Sequence, residues 1–512
     1  MTHLTSPLPI PARSTRWSCF LLAAAALQLS ACGGDNNPAQ PLAAPDVGGA
    51  APGLVAPGPA PTRAAPHNAC DTQPNDTAEQ LLECVTLAGV RAHQAALADI
   101  AQANAGTRLA GTPGFDASLA YAKKVLTEAG YSVSVQPFEF PVSRVETSIL
   151  RAPGQLASQS LPHRVPDYAG SAEVTAAANP PSGPEGCTAA DYAGFARGDI
   201  ALLRRGGCDL EDKVAAAEHA GAAGAVIYSL DNLPPAGNLS ADSPQHFPVV
   251  LVSQDVGRDL LKRPPGGRTL HLQTRTSRSM ATTYNLLAES TSGDPAHVTM
   301  VGAHLDSVRA GGGSNDNGSG VAAVLETARQ MARVKPLNQL RFALWGAEEQ
   351  GLLGSRHYVR NLDEAARAKL GLYLNFDMIG SPNPVYYVYG GDGSAGSQAI
   401  SSPKASARIV NTFSDFYTAR KLASKPMNSG GRSDHKPFAD IGVPFGGIFT
   451  GAEGTKTQQE ADTWGGTAGK PLDPCYHRAC DNLENTNEPA LDVNADAVAH
   501  TVLFFAMNRL ER

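Results

Sequence analysis

Three runs in the second half of the chain are apolar at nearly every position rather than at alternate ones: 297–306 (HVTMVGAHLD), 340–349 (LRFALWGAEE) and 372–379 (LYLNFDMI). Strands covered by helices on both faces read this way. Between the first two, Val321, Val324, Leu325, Ala328, Met331 and Ala332 recur at helical spacing, and Ser319 is the expected N-cap. A second helix is expected over 493–510, with Val498, Thr501, Val502 and Phe505 on one stripe. Strands alternating with helices predict an α/β/α sandwich around a mixed, largely parallel sheet.

The start of the chain follows a different pattern. Arg13 and Arg16 precede an apolar stretch, 19–29, and no acidic residue comes before Asp35. That is the pattern of an export signal, too short to span a membrane comfortably. It ends in Leu29-Ser30-Ala31-Cys32, which resembles a bacterial lipobox, with Cys32 the lipidated residue and Gly33 favouring the outer membrane. A soluble exported chain, cleaved near Ala31, is the alternative. Residues 33–68 are rich in Pro, Ala and Gly and read as a tether.

Length and composition narrow the picture. A chain of 512 residues with 42% hydrophobic and 17% charged residues has ample core for two folded units. A net charge of −7 leaves no basic surface for nucleic acid. Of the 8 cysteines, two lie in the signal and lipobox. The other six form an even set, as expected in an oxidising compartment, and proximity suggests the pairs Cys70–Cys84, Cys187–Cys208 and Cys475–Cys480. None of them forms a CxxC pair, which excludes a zinc ribbon.

The chemistry gathers at the strand ends, where open α/β sheets bind ligands. The first run ends in His304-Leu305-Asp306, the second in Glu348-Glu349, and the third carries Asp377. A Gly-rich loop, 311–320, holds Asp316, and His477 lies far downstream. Each alone reads as an ordinary polar residue; together, at one sheet edge, they suit a shared site. Two metals roughly 3.5–4 Å apart need one bridging carboxylate and two further ligands each. His304, Asp316, Glu349, Asp377 and His477 supply that inventory, in residue types that zinc accepts. Glu348 is left beside the site as the expected general base. Asp306, two residues from His304, is expected to orient its imidazole.

Several motifs carry a specific resemblance: NAGTRLAGTPG from Asn104, HLDSV from His304, NDNGSG from Asn315, WGAEEQGLLGS from Trp345, NFDMIG from Asn375, GRSDHKPF from Gly431 and DPCYHRACD from Asp473. In these the chain resembles the co-catalytic zinc aminopeptidases of metallopeptidase family twenty-eight, of the aminopeptidase S and aminopeptidase Y type. The resemblance implies two zinc ions per chain. His304 and Asp377 would hold one, Glu349 and His477 the other, and Asp316 would bridge. It further implies that Glu348 shuttles the proton, that Tyr476 hydrogen-bonds the oxyanion, and that Cys475–Cys480 braces the loop between them. Arg432 falls in a segment that contacts substrate in relatives, and the 104–114 segment resembles the family's substrate-side stretch. Asp492 and Asp496 match calcium positions in a relative, with a capping or surface role as the simpler expectation.

The segment 198–228, reading strand, turn, amphipathic helix, strand, resembles a protease-associated domain, which implies a β-rich insertion acting as a lid or a spacer. The expected organisation is a signal with lipobox at 1–32, a linker at 33–68, a peptidase domain from 69–141 and 279–512, and an insertion at 142–278. The implied activity is removal of N-terminal residues from peptides, with apolar residues such as Leu preferred. The implied location is exported, on the outer membrane or periplasmic. A metallo-carboxypeptidase of the same superfamily, a non-catalytic binding relative and a one-zinc glutaminyl cyclase are the alternatives. A serine hydrolase is disfavoured by the absence of a GxSxG elbow.

Overall fold

The computed structural model describes residues 70, 72–156, 158–230, 232, 237–240, 246–396, 403–428 and 430–510. The expected signal, Cys32 and the 33–68 linker lie outside them. The described strands are β1 (Ser132–Arg151), β2 (Ala172–Asn179), β3 (Ile200–Arg204), β4 (Gly224–Tyr228), β5 (Val249–Val252), β6 (Thr269–Glu289), β7 (Asp294–His304), β8 (Asn338–Trp345), β9 (Leu370–Phe376), β10 (Tyr387–Gly390), β11 (Lys425–Pro426) and β12 (Phe445–Phe449).

The three apolar runs become β7, β8 and β9, the parallel heart of the peptidase sheet. β8, β7, β9 and β12 lie side by side, all parallel. β6 and then β1 add antiparallel strands at one edge, and β10 and β11 extend the other. Alternation explains why these runs are apolar throughout. Val301, Ala303, Phe342, Leu344, Leu374 and Phe376 enter the core on one face. Val298, Met300, Ala343, Trp345 and Tyr373 enter a second core on the other.

Helix Gly318–Met331 is buried at every described position except Arg329. It packs against the sheet and against helices Leu87–Ala103 and Glu488–Met507, so an apolar stripe on one side would not have sufficed. Its N-cap is Asn317, not Ser319. The Asn317 side-chain oxygen accepts from the backbone N–H of Gly320 (3.0 Å) and of Met378 (3.3 Å), tying the helix start to the residue after Asp377. Ser319 sits inside the first turn and donates to the carbonyl of Asn315 (2.7 Å). The C-terminal helix starts earlier than the stripe suggested, at Glu488 behind the cap Asn487, with Val498, Thr501, Val502 and Phe505 buried. By length and composition it could cross a membrane, but most of it is spent in the core.

The insertion has its own core. β2 pairs antiparallel with β6, and β3, β4 and β5 follow in parallel, with Leu202, Val226 and Val250 fully buried. Helices Leu210–His219 and Gln254–Lys262 pack on these strands. β1 and β6 form one long antiparallel ribbon that passes from the peptidase sheet into the insertion, with Val142 opposite Ser279.

Candidate active site

All five residues expected as metal ligands converge beyond the C-terminal ends of the parallel strands. His304 closes β7, Asp377 follows β9, Glu349 follows β8, Asp316 precedes the buried helix, and His477 comes from the disulfide-closed loop. The His304 Nε2 lies 3.2 Å from Asp316 Oδ1 and 3.3 Å from Asp377 Oδ1. The His477 Nε2 lies 3.1 Å from Asp316 Oδ2 and 3.0 Å from Glu349 Oε2. The result is two triads, each with one imidazole and two carboxylates, sharing Asp316. In each, a single imidazole nitrogen faces oxygens of two carboxylates, and one N–H cannot serve both acceptors well.

Charge follows from this crowding. Burial pushes the Glu349 carboxyl up to about 7, aided by Asp316 and opposed by His477. Glu348 is raised well above the carboxylate range by burial and by Asp434, Asp377 and Glu349, against the pull of His304. Asp316 is held below that range: burial would raise it, but hydrogen bonds from both imidazoles prevail. Burial would lower His477, yet Glu349 and Asp316 lift it to about 10. A buried excess of carboxylates over cations calls for positive charge at the centre.

The loops that carry these groups are held at left-handed backbone positions. Ala347 (φ 57°) precedes Glu348, Met378 (φ 51°) follows Asp377, and His477 itself has φ 57°. Non-glycine residues in this region are costly, and they persist where surrounding contacts fix them.

Asp306 does reach the site, but not as expected. β7 has ended at His304, and the Asp306 carboxylate accepts from the backbone N–H of Glu348 (3.1 Å) and of Glu349 (3.3 Å). The His304 Nδ1 meets the Asp306 carbonyl at 3.1 Å, with the carboxylate farther off at 3.7 Å. The acid therefore fixes the Glu-Glu pair as well as facing the imidazole.

Tyr476 stacks on the His477 ring, with centroids 3.8 Å apart. Arg432 and Tyr476 line one cavity with the two triads, and Arg432 donates to the Tyr476 hydroxyl at 3.3 Å. Asp496 pairs with Arg420 at 3.0 Å.

The three disulfides are Cys70–Cys84, Cys187–Cys208 and Cys475–Cys480. The last closes a six-residue loop that contains Tyr476 and His477. Replacing Cys475 and Cys480 together by Ser is expected to lower kcat by about tenfold or more, because a displacement of about 1 Å at a reacting group costs up to about 100-fold. Steady-state kinetics of the double variant check this; unchanged kcat would mean that other contacts hold the loop.

Sequence reasoning missed the supports. Arg108, read as part of a substrate-side segment, is fully buried. It donates to the carbonyls of Leu305, Gly312 (2.9 Å) and Gly313 (2.9 Å), and so clamps the loops that carry His304 and Asp316. Arg108→Met removes the side-chain donor to the Leu305 and Gly312 carbonyls and leaves Gly313 only the Gly318 N–H, and is expected to cost about 3 kcal/mol or more of stability. A urea midpoint within error of the parent would remove that role. Ser433 donates to Asp377 Oδ2 (2.7 Å) and accepts from the Asn375 side-chain amide (2.9 Å). Asp481 accepts from the backbone N–H of Asn315 (2.8 Å) and of Asp316 (3.0 Å). All three lie inside motifs that the sequence displays, but a motif does not say which member points where.

Buried imidazole and carboxylate triads at the carboxyl edge of a parallel sheet define the class of metal-dependent hydrolases. Residues 285–502 match Peptidase family M28, and residues 171–260 match the PA domain. An aminopeptidase of Pseudomonas aeruginosa is 41% identical over 451 residues, which cover 84% of this chain and 82% of that protein. A Mycobacterium tuberculosis protein named probable lipoprotein aminopeptidase LpqL is 38% identical, over 83% of this chain and 86% of its own. The fold is that of BSAP, a zinc aminopeptidase from Bacillus subtilis, at TM-score 0.63 and 24% identity, covering 82% of this chain and 95% of that one. The chain belongs to peptidase family M28 and is an aminopeptidase of that family with an inserted PA domain.

Proposed function

We propose that the enzyme cleaves the N-terminal peptide bond at a pair of zinc ions held by the two triads. The observation that carries this reading is the sharing of Asp316 between them. The donor set fits zinc: two imidazoles and three carboxylates, buried or nearly so, with Glu349 Oε1 and His477 Nδ1 lacking a hydrogen-bond partner. His304 and Asp377 would hold one ion and His477 and Glu349 the other, with Asp316 placed to serve both. When bound, the ions supply Lewis acidity and a water acidic enough to attack at neutral pH.

The chain's own residues do the rest. Glu348 accepts the proton of the attacking water and returns it to the leaving amine. Its burial and carboxylate neighbours favour the protonated form, which suits a base that must become an acid within one turnover. Tyr476, kept protonated by burial, donates to the developing oxyanion. The free α-amine of the substrate is drawn to the carboxylates around the triads. Its side chain enters a cavity of about 250 Å³ whose lining includes Met378, Tyr389, Met427, Phe449 and Ala452, which favours Leu and other apolar residues. A lipidated Cys32 with the 33–68 tether would present this domain outside the inner membrane, in keeping with the lipoprotein name of the mycobacterial relative.

The test compares leucine p-nitroanilide with its N-acetyl derivative, with and without chelator, while bound zinc is counted. Cleavage of the free amine alone, lost with chelator and restored with two zinc per chain, is the expected result. Cleavage of the blocked compound, or full activity with one zinc, would overturn the proposal.

A further inference from the structure

A PA-domain side chain reaches a residue next to the catalytic cavity. Arg205 stands just after β3 of the insertion, and its guanidinium lies 3.7 Å from the Glu453 carboxylate on the peptidase domain. The same Glu453 oxygen pairs with Arg432 at 3.1 Å, and Arg432 donates to the Tyr476 hydroxyl at 3.3 Å. Arg205, Glu453 and Tyr476 also line one cleft together. One carboxylate thus faces two guanidiniums from different domains, and the second guanidinium touches the phenol beside His477.

We propose that this chain, from Arg205 through Glu453 and Arg432 to Tyr476, makes the seating of the PA domain a determinant of Tyr476's position. Arg205 is a positioning residue in this scheme. The chemistry of the last link is directional. Arg432 donates to the phenol oxygen, which leaves the Tyr476 O–H as the donor to an oxyanion. Glu453 fixes the guanidinium plane that makes this possible, and Arg205 holds Glu453 from the far side. Without Arg205, Glu453 loses one of its two guanidinium partners and can follow Arg432 away from the phenol. The side chains of Glu453 and Arg432 are 42% and 48% exposed, so solvent screens each link and a modest effect is expected. The kinetic part of the inference rests on the oxyanion role proposed for Tyr476; the structural part does not.

The experiment places 3-fluorotyrosine at position 476 and records its ¹⁹F resonance in the full chain, alongside kcat and KM for leucine p-nitroanilide. Arg205→Ala is expected to move the resonance in the same direction as Arg432→Ala, and to lower kcat by about two- to fivefold with KM little changed, the size of a screened ion pair. Arg205→Lys should restore most of both. In a Tyr476→Phe background, Arg205→Ala should change kcat no further. An unmoved resonance in Arg205→Ala, with a clear shift in Arg432→Ala, would overturn the relay. A moved resonance with kcat equal in Tyr476→Phe and parent would keep the relay and remove the oxyanion role. A loss of kcat in Arg205→Ala that persists unchanged in the Tyr476→Phe background would also count against it, since the effect would then bypass the tyrosine.

Discussion

Glu348→Gln is expected to lower kcat by about a thousandfold while leaving the zinc content of the protein at the parent's level. A positioned general base contributes about 10²–10⁴-fold, so removing it should fall in that range. The substitution separates chemistry from binding because Glu348 belongs to neither triad. Its backbone is pinned by the Asp306 carboxylate, and Gln keeps its shape, so the neighbouring Glu349 should stay in place. KM should change little, since a proton transferred in the transition state adds nothing to ground-state binding. The checks are kcat, KM and zinc content on one preparation. Near-parent kcat would mean that another group is the base.

Asp316→Asn should have the larger effect, acting on the metals themselves. This carboxylate faces both imidazoles, at 3.2 and 3.1 Å, and so serves both triads. An amide offers one neutral oxygen where two anionic ones stood. Bound zinc is expected to fall below two per chain, with kcat/KM down by about a thousandfold or more, the scale of a lost electrostatic centre. The fold should survive, because the Asp316 backbone is held by Asp481 and the adjoining helix is buried in the core. Zinc analysis with circular dichroism checks this. Two zinc ions per chain in the folded variant would exclude Asp316 as the shared ligand.

Much of this site is legible in the sequence. The runs ending in His304, Glu348-Glu349 and Asp377 announced buried parallel strands, because a strand covered on both faces has no polar alternate positions. A parallel sheet then brings those ends to one edge, wherever its helices lie. What escaped were contacts that periodicity does not encode. Asn317 rather than Ser319 caps the central helix, because the same oxygen also receives the Met378 amide from another strand's loop. The Asp306 carboxylate faces His304 and also accepts from the Glu348 and Glu349 amides, because the strand that would have aimed it at the imidazole alone stops at His304.

The sequence by itself determined which residue types stand at which strand ends, and therefore the donor set. It also determined the three cysteine pairs, each formed between neighbours along the chain. Both follow from local order: side-chain alternation along a strand and short loops. Only the tertiary structure decided what holds that donor set in place. Arg108 beneath the Gly-rich loop, Ser433 on Asp377 and Asp481 behind Asp316 each join segments distant in sequence. It also decided that a PA-domain arginine reaches Glu453. Hydrogen bonds and ion pairs act over a few ångströms and depend on direction, so they become definite only once the fold has brought their partners together.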